Sequence, residues 1–355
     1  MIVLYILLAV LIFGVLIMTH ELGHFITAKL FGVRVNEFSI CMGPAIFEKT
    51  IGETTYALRC IPIGGYCAME GEDERSEDPR GFTSAKPWKR LIILAAGSAM
   101  NFFTGLMILI IMYSAVAGFT TTQITGFLPD CPLQAEDRLH ESDVLHRIDG
   151  RRVYLYSDIA MLMSRNKSGV YDLEVKRNGE IVELNDLPME KQAYEEDGKT
   201  VYRYGLYFGH EEKTLGTLLK NAWYSALDFA RMVWMSLSDL IQGLVKVDDM
   251  SGPVGIVSAI VQTGQSAETP AIAALNISYL GAFLAINLAV MNMLPIPALD
   301  GGRIFFLAIT AALEKVLKRK IDPKYEGYIH AAGMVLLLLF IALITLKDIG
   351  KLIAG

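Results

Sequence analysis

The chain has 355 residues, of which 53% are hydrophobic and only 20% are charged. A soluble protein of this length carries more charge, so the composition favours a membrane protein. The formal net charge of −6 argues against nucleic acid as the main partner. The cysteines lack the spacing of a zinc ribbon and are too few for a disulfide framework, so we interpret them as free thiols. They are Cys41, Cys60, Cys67 and Cys131.

The first predicted element is a membrane-spanning helix at residues 1–31. It exceeds the roughly 20 apolar residues that a bilayer requires. No basic segment and no small-residue cleavage site precede its polar cluster, so we do not expect a cleaved signal peptide.

That polar cluster is His20-Glu21-Leu22-Gly23-His24, which matches the H-E-x-x-H pattern. Positions i and i+4 share one face of a helix, so both imidazoles can bind one metal ion. Glu21 can act on a metal-bound water as general base. Such groups are costly at the end of an uncharged span and need partners. The alternative is a polar cluster that faces cytosolic water.

Three more uncharged stretches are long enough to cross a bilayer: residues 91–118, a part of 269–299, and 328–346. Short loops rich in Lys and Arg lie on the cytoplasmic side. Two loops meet this description, with Arg34, Lys49, Arg59, Arg75, Arg80, Lys86, Lys89 and Arg90 in one and Arg303, Lys315, Lys318, Arg319, Lys320 and Lys324 in the other. Both termini and the long region 119–268 are then expected outside, with the metal site near the cytoplasmic side.

The outer region begins with a predicted small α/β domain at residues 120–188. Its pattern predicts strands at 124–128, 143–150 and 171–176, a helix at 157–165, and a turn at Asn178-Gly179. Residues 215–245 then show apolar helical periodicity that charged residues interrupt. This pattern favours an amphipathic helix on the outer domain or the membrane surface over a fifth span.

A catalytic zinc ion takes three protein ligands and keeps one open position. Asp300 is the best candidate for the third ligand. It follows Pro295 and Pro297, which break the third span, and it precedes Gly301-Gly302, which permits a tight turn. An ordinary interfacial turn is the alternative for this segment. The other candidate ligands are His140, His146, His210 and His330.

Taken in this order, the motifs resemble the site-2 protease family of intramembrane zinc proteases, and most of all its bacterial regulator-of-sigma-E protease group. The resemblance covers nearly the whole chain, including H-E-L-G-H, L-P-x-P-x-L-D-G-G and residues 61–66, 96–102 and 251–256. It implies a multi-pass α-helical protein of the bacterial plasma membrane. About four transmembrane helices, an inserted extracytoplasmic α/β PDZ-like domain and a membrane-associated β loop at 56–69 are expected. The expected divisions are 1–118, 119–190 (PDZ-like), 191–268 (connector with the amphipathic helix) and 269–355.

The resemblance also implies the chemistry. One catalytic Zn²⁺ is expected on His20, His24 and Asp300, with Glu21 as the base. The expected substrates are transmembrane segments of single-span proteins, either anti-sigma factors or remnant signal peptides, trimmed first by another protease. The expected surroundings are membrane lipid and no nucleic acid. The residues expected to contact substrate are Asn287, Asn292, Pro295, Pro297, Gly64, Gly65 and Tyr66.

Several alternatives stay open. Asn287 can instead serve helix–helix packing, and the 56–69 loop can be a plain cytosolic hairpin. A catalytically inactive PDZ scaffold conflicts with the retained ligands and base. An ion-coupled transporter conflicts with four spans that show no recognisable inverted repeat. Residues 125–128 match a carboxylate-binding loop poorly, which argues against capture of peptide C-termini by the outer domain.

Overall fold

The structure is a computed structural model that describes residues 2–72, 76–196, 199–245, 250–318 and 324–354. Arg75, Arg319 and Lys320, which entered the orientation argument, lie outside these ranges. The helices are α1 Ile2–Leu30, α2 Pro87–Ser114, α3 Tyr156–Arg165, α4 Leu215–Ile241, α5 Pro253–Gln265, α6 Pro270–Asn292, α7 Asp300–Leu317 and α8 Lys324–Ala354. The strands are β1 Val35–Ile51, β2 Thr54–Met69, β3 Gly118–Phe127, β4 Val144–Ile148, β5 Arg151–Arg152, β6 Val170–Arg177, β7 Glu180–Pro188, β8 Gln192–Glu196, β9 Lys199–Arg203 and β10 Leu206–Glu212.

Within the described ranges, four helices are long and apolar enough to cross a membrane: α1, α2, α6 and α8. They coincide with the four predicted spans, which confirms a multi-pass membrane protein. The amphipathic helix predicted at 215–245 is α4, which is not among the four. Many large apolar side chains of α1 and α8 are exposed, as lipid-facing surfaces must be. All four cysteines are free thiols, as predicted.

The helix that carries His20 and His24 is held by α5 and α6. Buried side chains from the three helices form one apolar cluster: Tyr5, Ala9, Leu16, Ile260, Ile277, Leu284 and Ala285. The Tyr5 hydroxyl donates to the Gly264 carbonyl at 2.9 Å. The sequence did not predict α5. Its first amides are capped by Asp348 Oδ2, which accepts from Gly252 N and Gly255 N at 2.8 and 2.9 Å.

The predicted β loop is the pair β1 and β2, and its register makes a sheet of four segments. The first half of β1 pairs with the start of β2 on one side (Phe38 with Tyr56) and with the end of β2 on the other (Phe38 with Cys67). Residues 45–51 pair with 54–59 beyond that. Residues 65–69 therefore form one outer edge of the sheet and 45–51 the other.

A second compact unit comprises Tyr113–Asp228. Its sheet has the order β10-β3-β4-β6-β7, with β5 paired to β4. The strands predicted at 124–128, 143–150 and 171–176 are β3, β4 and β6, and the predicted helix is α3. Asn178 and Gly179 both have positive φ, 50° and 94°, as a type I′ hairpin turn requires. These matches confirm an inserted β-rich domain.

The sheet of this unit has two end strands, β10 and β7. Residues 125–128, which match a carboxylate-binding loop poorly, include Gly126 and Phe127, which pair with β10, whereas β3 pairs with β4 at Gln123. On the end strand β10, Phe208 packs edge-to-face on Tyr156 of α3 with ring centroids 5.0 Å apart. An added peptide strand would therefore pair with β10 or with β7.

One buried ion pair fastens this unit. Asp143 is fully buried and accepts two hydrogen bonds from the Arg177 guanidinium, Nε to Oδ1 and Nη2 to Oδ2, both at 2.8 Å. This pairing raises the pKa of Arg177 above its ordinary value. Asp143 Oδ2 also accepts from His140 N at 2.9 Å. The carboxylate therefore links the residue before β4 to the last residue of β6.

We expect Arg177→Met to destabilise this unit by about 2–3 kcal/mol, because it leaves a buried carboxylate without its cation. The matched control is Arg147→Met, which removes a 3.4 Å pair between the more exposed Arg147 and Glu174 and should cost under about 1 kcal/mol. Hydrogen exchange of β4 and β6 amides in the purified chain measures both. Equal protection in the two variants would contradict the role of the buried pair.

Candidate metal centre

The two histidines of the first span converge on one point. They lie one turn apart on α1, and their Nε2 atoms are 3.2 Å from each other. His24 is buried and its Nδ1 donates to the Ile93 carbonyl of α2 at 2.8 Å. With the proton on Nδ1, the lone pair of His24 Nε2 is free to bind a metal.

Asp300 completes the group, as its sequence position predicts. It is the first residue of α7, and its Oδ2 lies 3.2 Å from His20 Nε2 and 3.3 Å from His24 Nε2. This Oδ2 is buried and makes no hydrogen bond of acceptable geometry within the described part of the chain. A buried oxygen that faces only two imidazole nitrogens is poorly satisfied unless a cation lies between them.

The donor set fits a zinc ion. Among the described residues, His20, His24 and Asp300 are the one group of metal-ligating side chains that converges in this way. Ligands about 2.0–2.1 Å from a tetrahedral zinc lie about 3.3–3.4 Å from one another. The observed separations of 3.2, 3.2 and 3.3 Å are close to that geometry. Two imidazoles and one carboxylate leave a fourth position open.

The glycines beside Asp300 serve close packing and not a tight turn as expected. Gly301 and Gly302 are helical residues of α7 without positive φ. A Cβ on Gly301 would lie 2.3 Å from the carbonyl of Met293, and one on Gly302 would lie 2.2 Å from the carbonyl of Ile296. The loop after α6 therefore folds directly onto the first turn of α7 and fixes Asp300.

His330 supports this loop from α8. Ala298, two residues before Asp300, has φ of 83°, a strained value for a residue with a side chain. Its amide donates to Nδ1 of the buried His330 at 3.0 Å. Sequence reasoning considered His330 as a possible ligand, and its actual contact depends on a fold that no local pattern reveals. His140, His146 and His210, the other candidates, lie in the β-rich unit.

Gly97 of α2 makes room for the imidazoles. A Cβ at this position would lie 2.3 Å from His24 Nε2 and 2.7 Å from His20 Cε1. Gly23 of α1 faces the same helix, and a Cβ there would lie 2.4 Å from the Ala96 carbonyl. The two helices therefore approach to backbone contact at the metal ligands.

Glu21 and the outer edge of the β1–β2 sheet are neighbours. Glu21 is half-buried and within electrostatic range of His20, His24 and Asp300. A Cβ on Gly65 would lie 3.6 Å from Glu21 Cγ, so this edge residue lies beside the carboxylate.

Gly64 and Tyr66 were also predicted to contact substrate, and both have structural roles. Gly64 has φ of 80°. The Tyr66 hydroxyl donates to Glu37 Oε1 at 2.8 Å, and the Arg59 guanidinium lies over the Tyr66 ring.

The predicted residues of the third span are distributed differently. Asn292 ends α6, and its Nδ2 lies 3.4 Å from both ring nitrogens of His20. Asn287 is five residues earlier, about 140° around the helix, so it does not share that face. Pro295 is exposed, and Pro297 packs its Cβ against Gly333 of α8.

The chain is similar to known zinc metalloproteases over nearly its whole length. A sequence profile of peptidase family M50 matches residues 8–340. A zinc metalloprotease of Clostridium perfringens is 34% identical over 97% of this chain and 98% of its own length. One from Fusobacterium nucleatum is 36% identical over 98% of each chain. The regulator of sigma-W protease RasP of Bacillus subtilis is 29% identical over 97% of each chain.

We expect Gly97→Ala to abolish metal binding, because the new methyl group occupies the space of the His24 ring. Gly14→Ala is the control, since a Cβ there meets nothing within 4 Å. Metal content per purified chain, measured by mass spectrometry, should fall well below that of the parent only for Gly97→Ala. A full metal complement in that variant would show that the imidazoles are not confined by α2.

Proposed function

The chain belongs to peptidase family M50, the site-2 protease family, and is a membrane zinc metalloprotease; from this premise we propose that it hydrolyses peptide bonds inside transmembrane segments of single-span membrane proteins. The observation that carries the proposal is the convergence of Asp300 with His20 and His24, which lie beside Glu21 on a membrane-spanning helix. Ionisable groups are costly within a membrane span, and those found there usually serve a function.

His20, His24 and Asp300 would hold the zinc ion through their Nε2, Nε2 and Oδ2 atoms. When bound, zinc acts as a Lewis acid that polarises a carbonyl and lowers the pKa of water. The buried imidazoles and the confined loop before Asp300 keep the three ligands in place before substrate arrives.

Glu21 would move the proton. Its carboxylate accepts a proton from the attacking water as the oxygen bonds to the scissile carbonyl carbon. It then donates that proton to the amide nitrogen as the C–N bond breaks. Asn292, next to His20, can donate its Nδ2 hydrogens to the substrate backbone that unwinding exposes. Asn287 faces another direction and suits helix packing or a more distant substrate contact.

The edge at residues 65–69 would bind the substrate as an added strand. A transmembrane helix hides its amides in internal hydrogen bonds, so cleavage requires an extended segment. An exposed strand edge supplies replacement hydrogen bonds by β-augmentation. Gly65 lies on this edge beside Glu21, which brings an added strand next to the catalytic base. Pro295 and Pro297 would border the same cleft.

The substrate class is inferred from the resemblance and from the name of the Bacillus relative. Anti-sigma factors and remnant signal peptides, first trimmed by another protease, fit a single-span substrate. We propose that the metal centre lies near the cytoplasmic side and the β-rich unit outside. There a PDZ-like unit would exclude untrimmed substrates by size.

We expect Glu21→Gln to retain zinc and lose cleavage by about 10²–10⁴-fold, because only the base is removed. His24→Ala and Asp300→Ala should lose both zinc and cleavage. The assay compares zinc content with cleavage of a reconstituted single-span substrate. Wild-type cleavage by Glu21→Gln would contradict the mechanism and would favour a scaffold or a transporter.

We expect Tyr66→Cys to form disulfides with cysteines placed near the cleavage point of a bound substrate. The background carries Glu21→Gln to trap the complex, with the native cysteines replaced by alanine. Thr50→Cys, on the opposite edge of the same sheet, is the matched control. Gel mobility under oxidising conditions reports the cross-link. Stronger cross-linking at position 50 would place the substrate on the other edge.

A further inference from the structure

The two imidazoles differ in what fixes their tautomers. His24 Nδ1 is bound by a backbone carbonyl, which leaves Nε2 unprotonated. His20 has side-chain amides near its Nδ1 instead, from Asn101 at 3.5 Å and from Asn292 at 3.4 Å. Amides can donate or accept according to their orientation, so the tautomer of His20 depends on them.

Asn101 is the better placed of the two amides. Asn292 Nδ2 is equally distant, 3.4 Å, from Nδ1 and Nε2 of His20, so it does not lie along the lone-pair direction of either nitrogen. Asn101 approaches the Nδ1 side. It is 1% exposed and lies on α2, one turn after Gly97.

The Thr19 hydroxyl determines which way the Asn101 amide should face. With Asn101 Oδ1 facing Thr19, Oγ1 would have to donate both to the Leu16 carbonyl at 3.0 Å and to Asn101 Oδ1 at 3.2 Å, yet a hydroxyl has a single proton. A half-turn of the Asn101 amide removes this conflict, because Nδ2 then donates to Thr19 Oγ1. The amide oxygen and nitrogen are nearly equal in size, so the turn needs no space.

The half-turn also changes His20. With Asn101 Nδ2 facing it, Nδ1 must accept and the ring proton lies on Nε2, where it blocks metal binding. With Oδ1 facing it, Nδ1 donates and Nε2 keeps its lone pair for the metal. One amide orientation therefore satisfies Thr19, Asn101 and His20 together.

We propose that Asn101 is a positioning residue that accepts a hydrogen bond from His20 Nδ1 through Oδ1, is itself oriented by Thr19, and so commits His20 Nε2 to the zinc ion. This inference rests on the proposed zinc centre. Outer partners of metal-bound histidines typically change metal affinity about 10–100-fold when removed. Asn101 therefore acts through His20 and does not contact substrate.

The test measures zinc affinity by chelator competition in purified full-length protein that carries Glu21→Gln, so no cleavage is involved. Asn101→Leu keeps the branched shape and the number of side-chain heavy atoms but cannot accept, and should weaken zinc binding about 10–100-fold. Asn101→Asp can only accept, and should bind zinc at least as tightly as the parent. Ser98→Ala is the control, because this buried hydroxyl of the same helix has no hydrogen-bond partner within the described residues.

The outcomes separate the possible roles. If Asn101→Asp weakened binding as much as Asn101→Leu, Asn101 would be a donor or a packing residue and the inference would be overturned. Unchanged affinity in Asn101→Leu would overturn it as well. A parent protein that bound no zinc, or bound it independently of His24 and Asp300, would instead overturn the zinc centre itself. A melting curve for each variant separates misfolding from lost affinity.

Discussion

The metal centre is governed by the cost of leaving polar groups unpaired inside a membrane. Two imidazoles and a carboxylate have little water to hydrate them at such a position, so each of their polar atoms needs a fixed partner. Helix α2 supplies the Ile93 carbonyl for His24 and the Asn101 amide for His20, and a cation bound between Asp300 and the two imidazoles would satisfy Asp300 Oδ2. The packing of α1 on α2, and of the loop before α7 on α8, follows from that requirement.

Close backbone approach is the means by which the partners are brought into range. Gly23 and Gly97 let α1 and α2 meet where the imidazoles lie, and Gly301 and Gly302 let the preceding loop lie against the first turn of α7. Gly105, two turns further along α2, has a different neighbour, since a Cβ there would lie 2.6 Å from Ile286 of α6. Helix α2 therefore packs against the ligand histidines near Gly97 and against α6 near Gly105.

The features that could be predicted from the sequence are those that depend on a local pattern of residues. Hydropathy located the four spans, helical spacing paired His20 with His24, and the broken third span pointed to Asp300. Contacts between distant segments left no such signal. The helix α5, the support of Ala298 by His330 and the doubled pairing of β1 could not be anticipated, because each requires knowing which segments meet.

The β1–β2 sheet is connected to α7, the helix that carries Asp300, and this connection bears on how a substrate strand would meet the ligands. Arg303, in the first turn of α7, donates to Glu72 just after β2 at 2.8 Å. Glu72 Oε2 in turn accepts from the amide of Met69 at the end of the outer edge. Because Gly65 on that edge lies beside Glu21, the edge is fixed to α7 at one end and to α1 at the other. A strand added there would meet a base and a ligand whose spacing the protein has already set, so binding energy need not be spent on assembling them.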